Sequence, residues 1–302
     1  MNDSVGAALH VCGGHLWYAE VSGDAEGPSV ATVGHRAVGA DGGQALVGAT
    51  GDPEGSRAVR EGLDEAVAAL SAERGRIVVP PSAVYSFFVP LPKASSPRER
   101  RQQVLQQTAV VTGRGAVSDL HVKASVVRPA SEEGEGSHVW CHVLAVPKAA
   151  RVRLREDIGL AEDDWAWMVS TEAVARAPCR EKDAAVALLV GTYDGHTEFS
   201  LLRSGEWHHA QYTDATEPPP DVAYAARSFL NDVGVSPEAV EGLLGYGPRH
   251  EPTLTSALET ELGQGMGRLD PFAGEAGGTV PETGERAAFG PCVGAALQAL
   301  GD

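Results

Sequence analysis

The stretch Ala185-Val186-Ala187-Leu188-Leu189-Val190-Gly191-Thr192, with Thr197–Leu202 and Trp207–Tyr212 behind it, sets the reading of the whole chain. Ala185–Val190 is a continuous apolar run, the pattern of a strand buried on both faces. Arg203-Ser204-Gly205-Glu206 joins the next two segments as a hairpin turn. A helix is predicted after Pro219-Pro220, with Val222, Ala226, Phe229 and Leu230 on one face. Leu243-Leu244 reads as a short strand, Gly245-Tyr246-Gly247-Pro248 as a turn, and Leu254, Leu258 and Leu262 mark a second helix by their i+4 spacing.

The first eighty residues repeat this order. Strands are predicted at Ala7–Val11, Leu16–Val21 and Val30–Val38, separated by Gly13-Gly14, Gly23 and Gly27. Val59, Leu63, Ala66, Val67 and Leu70 form one buried stripe of a helix that opens after Asp52-Pro53. Arg76-Ile77-Val78-Val79 is a short strand stopped by Pro80-Pro81. Two β-β-β-α-β units in one chain imply a duplicated α/β architecture.

Between the halves lies a different pattern. Tyr85–Leu91, Leu120–Val127 and Val139–Val146 read as strands, and Ser131–Ser137 as a polar, acidic hairpin loop. Ser96-Pro97-Arg98-Glu99 starts a helix with serine as N-cap and proline at the first helical position; that helix runs to about Val111. A helix from Lys148 to Ile158 and the segment Ala161–Met168 lead back to the main body. The stretch has the size of a small inserted α+β subdomain.

Composition narrows the function classes. The 302 residues are 43% hydrophobic and 22% charged, a globular balance. The start Met1-Asn2-Asp3-Ser4 carries no signal-peptide pattern, and no uncharged apolar run approaches the roughly 18–20 residues of a membrane span. A soluble, cytoplasmic protein is expected. The net charge of -17 repels phosphate backbones, so nucleic-acid binding is not expected. Cys12, Cys141, Cys179 and Cys292 form no CxxC pair and read as buried thiols, with no metal site expected.

Six short segments stand in order along the chain: Val79-Pro80 through Pro92, the Gln-rich helix Ser96–Gln107, Val143-Leu144-Ala145-Val146-Pro147-Lys148, Ile158-Gly159-Leu160, Leu269-Asp270-Pro271-Phe272, and Phe289–Leu300. Together they resemble the actin-like type IV pilus assembly protein PilM and the related cytoplasmic domain of the secretion protein GspL. The resemblance implies a duplicated actin-like (ribonuclease H-like) two-lobed fold. The lobes would span 1–80 and 161–302, with the inserted subdomain at 81–160 and helix 288–300 returning to the first lobe. It also implies a cytoplasmic location and a partner: the short cytoplasmic tail of a bitopic inner-membrane protein, as PilN is.

Actin-like ATPases hold phosphates between two glycine-bearing hairpins, each with a nearby aspartate for Mg²⁺. By resemblance, the positions inherited here are His10, Gly13 and Gly14 in the first hairpin, Gly191 and Asp194 in the second, and Gly245 and Gly247 on the adenine side. The acid position of the first hairpin falls on His10, and that of the second on Leu189. Imidazole is a poor ligand for a hard, oxygen-seeking cation. No bound cofactor and no hydrolysis are therefore expected. Nucleotide binding without hydrolysis, an ATPase with rearranged ligands, and a polymerising cell-division or cell-shape protein stay open as alternatives.

The same resemblance places the partner groove between the first lobe and the inserted subdomain, around Phe87, Phe88 and Leu91 and the helix bearing Arg98, Arg101 and Leu105. Arg98, Arg100 and Arg101 make the most basic spot on an acidic chain, suited to an acidic patch on a partner. His138, Cys141 and His142 read as surface or edge-strand residues, His208-His209 as a hairpin end, and Trp165 and Trp167 as core. No GxSxG elbow supports serine hydrolysis.

Overall fold

The computed structural model describes residues 4–24, 27–39, 42–48, 53–114, 117–128, 138–160, 164–178, 184–214, 218–249, 251–273 and 280–301. Asp52, Cys179 and the Ser131–Ser137 loop lie outside the described residues. The chain begins with β1 (Ser4–Cys12), β2 (His15–Asp24) and β3 (Gly27–Ala37), then the helices α1 (Gly42–Val47) and α2 (Pro53–Ala68), then β4 (Gly75–Val79). The inserted stretch holds β5 (Tyr85–Pro92), α3 (Pro97–Thr112), β6 (Leu120–Arg128), β7 (His138–Pro147) and α4 (Lys148–Ile158). After β8 (Trp165–Val169) and α5 (Ser170–Val174) come β9 (Val186–Tyr193), β10 (His196–Arg203), β11 (Glu206–Thr213), α6 (Pro219–Asp232), β12 (Gly242–Tyr246), α7 (Pro252–Leu262), β13 (Met266–Arg268) and α8 (Gly290–Gly301).

Two five-stranded sheets share one topology: β3-β2-β1-β4-β8 and β11-β10-β9-β12-β13. In each, three antiparallel strands are extended by two parallel ones. The third sheet, β5-β7-β6, belongs to the inserted module.

Strand periodicity distributes the side chains between layers. On β1, Ala7, Leu9 and Val11 face an outer core with Val59, Leu63 and Ala66 of α2, while Ala8 and Cys12 face the other lobe. On β9, Leu188 and Val190 face α6 and α7, and Leu189 and Tyr193 face inward. The inner faces of both sheets share one core with α5 and α8. Helix α8 approaches closely enough that a Cβ on Gly6 would lie 2.3 Å from the Ala296 carbonyl oxygen.

Strand β8, in the stretch expected to belong to the second lobe, pairs into the first sheet. β8 pairs in parallel with β4, Gly75 opposite Trp165 and Val79 opposite Val169. Its indoles at Trp165 and Trp167 are buried in the outer core beside α2. The first sheet thus runs to Val169, and the boundary falls beyond the expected one. The short elements α1, α5 and β13 are too brief for periodicity to reveal.

In α3, the Ser96 hydroxyl accepts from the Glu99 amide at 3.3 Å and the Glu99 carboxylate accepts from the Ser96 amide at 2.7 Å, a complete capping box. Ser96→Ala is expected to cost about 1 kcal/mol. A lowered denaturant midpoint with unchanged slope would register it; an unchanged midpoint would show that α3 is held by packing alone.

Candidate functional site

The cleft between the lobes is built from two hairpin turns. Cys12–His15 joins β1 to β2, and Tyr193–His196 joins β9 to β10. They approach each other: a Cβ on Gly13 would lie 3.8 Å from the Asp194 Cβ. The Gly13 and Gly14 carbonyls accept the amides of Gly42 and Val38, each at 2.8 Å, which pins the first turn to its own lobe.

Aromatic side chains fill the cleft. His10 is fully buried, 5.4 Å from the Trp17 ring and 6.0 Å from Tyr193. Burial lowers its pKa to about 4, against the opposing pull of Glu198, so the ring is neutral. Tyr193 stacks on His196 at 5.0 Å and meets Tyr246 edge-on at 6.2 Å. Behind them, Glu198 is fully buried. It accepts from the Ser170 hydroxyl at 2.6 Å and the Tyr246 hydroxyl at 2.7 Å, with His196 Nε2 at 3.1 Å.

These residues do not fit a magnesium nucleotide. Gly191 survives, but a Cβ there would sit 2.3 Å from the Tyr246 ring, so the tyrosine covers the backbone that a phosphate would approach. Gly247 is pressed against the Thr192 backbone, where a Cβ would meet the carbonyl oxygen at 2.6 Å. Gly245 faces the Met266 methyl. Asp194 pairs with Arg249 and is not directed at a cation site. The cavity beside the Gly245–Gly247 turn measures about 10 Å³, room for one water. Side chains of the protein pack around these positions, and a cavity of about 270 Å³ lined by His15, Trp17, His35, Pro248, Glu285 and Phe289 stays open beside them.

The inserted module carries an open groove. Val89, Leu91, Val104, Val139, Cys141 and Val143 form its small core under α3. Between α3 and β6, at the edge of the three-stranded sheet, lies a groove of about 660 Å³. Leu91, Val104, Leu105, Val122 and Val126 supply apolar lining, and Arg100, Arg101 and Lys148 supply positive charge. Val126 is 58% exposed along it. Of the expected groove residues, Leu91, Arg101 and Leu105 are brought together here. Phe87 packs on the module core, and Arg98 stays exposed on the helix outside the lining. Phe88, which strand alternation turns to the opposite face, is not a groove residue.

Phe88 instead joins the module to the second lobe, stacked on His209 at 4.6 Å and 5.1 Å from Trp207. Arg128 lies 4.3 Å over the Trp140 ring and donates to His208 and His209, both at 3.1 Å. His208-His209 is therefore part of an inter-module contact, which no local signal announces. β7 is the central strand of its sheet, so Cys141 and His142 are buried, contrary to the edge-strand expectation.

His142 hydrogen-bonds Ser86 at 2.8 Å and lies 3.7 Å from Glu172. Burial lowers the imidazole's pKa to about 3, so the ring is neutral, and burial raises that of Glu172. The unfolded imidazole titrates near about 6.5 and takes up protons first, so its contribution is complete above that pH and is lost as pH falls towards 3. The thermal midpoint should fall from about pH 7 to about pH 4, and His142→Gln should reduce that slope. An identical slope in the variant would place the acid sensitivity elsewhere.

Two sheets of one topology, joined across a shared helical layer and carrying a small inserted module, define the duplicated actin-like fold. Among solved structures, the resemblance is to the PilM form of that fold. The PilM–PilN type IV pilus biogenesis complex aligns over 98% of this chain and 98% of the other, with a TM-score of 0.63 and 16% identity. A Bacteroides thetaiotaomicron protein of actin-like ATPase fold and unknown function aligns over 89% and 91%, at 0.53 and 8% identity. The cytoplasmic domain of EpsL, an inner-membrane component of the Vibrio cholerae type II secretion system, aligns over 85% and 94% at a TM-score of 0.44 and 14% identity. At these identities the likeness fixes the fold and leaves activity open. No protein-family model and no curated protein sequence matches the chain. Among the described residues, no helix is long and apolar enough to cross a membrane.

Proposed function

We propose that this chain is a non-catalytic, actin-like scaffold of a pilus or secretion machine, which holds a partner's peptide in the groove between α3 and β6. The observation that carries this reading is a contrast within the molecule. Around its two turns the interlobe cleft is occupied by Tyr193, Tyr246, Trp17 and His10, with about 270 Å³ left at one side, whereas the inserted module keeps an apolar groove of about 660 Å³ open. An extended peptide laid along the β6 edge gains backbone hydrogen bonds, and the apolar lining selects its side chains.

The occupant we favour is the short cytoplasmic tail of a bitopic inner-membrane protein, by analogy with the PilN that accompanies PilM in the related complex. Arg100, Arg101 and Lys148 suit a tail with acidic residues. The protein would then work in the cytoplasm, at the membrane through its partner.

Titration of the full chain with labelled tail peptides from bitopic proteins of the same machine tests this. Saturable one-to-one binding that weakens as salt rises is expected. No binding by any such tail, or magnesium-dependent release of phosphate from ATP, would remove the scaffold reading.

A further inference from the structure

The inner face of the interlobe cleft brings together two pairs of metal-ligating side chains. His10 and Cys12 project from β1, and His196 and Glu198 from β10; residues two apart on a strand share a face. Cys12 Sγ lies 3.9 Å from His196 Nε2, and that same nitrogen lies 3.1 Å from Glu198 Oε1. The ligand atoms of Cys12, His196 and Glu198 all fall within 4.8 Å of one another. A tetrahedral zinc ion, with bonds of roughly 2.0–2.3 Å, sets its ligand atoms about 3.3–3.6 Å apart.

Hydrogen bonding alone accounts poorly for this arrangement. One imidazole nitrogen carries a single proton or a single lone pair, so it cannot serve a thiol and a carboxylate together. A cation bonded to all three can. His10 is fully buried with no hydrogen-bond partner for either ring nitrogen, but it packs against the Tyr193 ring that stacks on His196 and lies outside the cluster of close ligand atoms. The outer layer is also in place, because the Ser170 and Tyr246 hydroxyls orient the Glu198 carboxylate as partners of a ligating carboxylate do.

We propose that the cleft binds a divalent transition-metal ion of the zinc class through Cys12, His196 and Glu198, with the fourth position left to a water. Thiolate and imidazole donors select such an ion over magnesium or calcium. On binding, the Cys12 thiol releases its proton to solvent and a thiolate–metal bond forms. Cys12 comes from one lobe and His196 and Glu198 from the other, so the ion ties the lobes together where an actin-like enzyme would hold its nucleotide.

The test uses the full chain, purified without a histidine tag, stripped by chelator and titrated with Co²⁺. One equivalent should bind, with a thiolate-to-cobalt charge-transfer band and visible absorption of tetrahedral strength. Zn²⁺ should displace the cobalt, and the thermal midpoint should rise with zinc concentration. Cys12→Ala should abolish the charge-transfer band. Tyr246→Phe should keep the band but weaken affinity by about 10-fold to 100-fold. Glu198→Gln, which keeps the shape of the side chain, should lower affinity as well and serves if Cys12→Ala does not fold. Less than one equivalent bound, a spectrum without the charge-transfer band, or Cys12→Ala and Glu198→Gln proteins that bind like the parent would overturn the proposal. The peptide groove lies on a different module, so tail binding is measured separately, with and without metal.

Discussion

Replacing Leu105 with aspartate is expected to abolish binding of the partner tail while leaving the protein folded. Leu105 lies on α3 and lines the groove without being fully buried, whereas its neighbour Val104 is 5% exposed and belongs to the module core. Seating a peptide against Leu105 would remove apolar surface from water, and the aspartate forfeits that burial, on the order of 1.5–3 kcal/mol. It also forces a carboxylate into an apolar contact, which adds a desolvation cost. Together these amount to a loss of roughly 100-fold or more in affinity. In the free protein the carboxylate stays hydrated, so the thermal midpoint should move little. Val104→Ala should do the reverse, lowering stability with a smaller effect on binding. Arg101→Ala should chiefly lower the association rate and its salt dependence. Undiminished tail binding by the Leu105→Asp protein would mean that the dock is elsewhere.

The second large effect is expected at Gly294 in α8. A Cβ there would lie 2.0 Å from the Ala173 carbonyl oxygen and 2.7 Å from the Ala177 amide nitrogen. Both obstacles are backbone, in and just beyond α5, so no rotamer change relieves them. Helix α8 packs on α5 and on β1 and β2, and its residues share the core between the lobes. Gly294→Val should therefore cost about 3 kcal/mol, the upper end for overpacking. For a protein of this size that is a fall of roughly 6–12 °C in thermal midpoint. Gly301→Ala, in the same helix but facing open space, is the control and should be near neutral. If calorimetry finds both variants as stable as the parent, α8 does not dock on α5 through this contact.

The cleft and the groove differ in how they constrain function. Glu198 at the cleft is committed to two hydroxyls and an imidazole, and Asp194 to Arg249. Turning Asp194 to a magnesium ion would break its ion pair with Arg249. The groove needs no such rearrangement, and its lining belongs to the inserted module.

What the amino-acid order determined was local. The glycine-bounded strands of the first eighty residues, the apolar run of β9 and the i, i+4 stripes of α2 and α7 depend on neighbours within about ten positions, which is why the duplicated α/β plan was legible. The Ser96 cap was equally visible, since it is a matter of residue type at one place. Tertiary structure alone decided what those places touch. Cys12 and His196 stand 184 positions apart and meet because one turn from each lobe points into a single cleft. Phe88 left the groove because alternation sends it to the face opposite Leu91, and only strand pairing shows which face meets the second lobe. His142 looked like an edge residue until β5 and β6 were seen to flank its strand. Burial depends on what packs against a segment from elsewhere in the chain, and no local pattern encodes it.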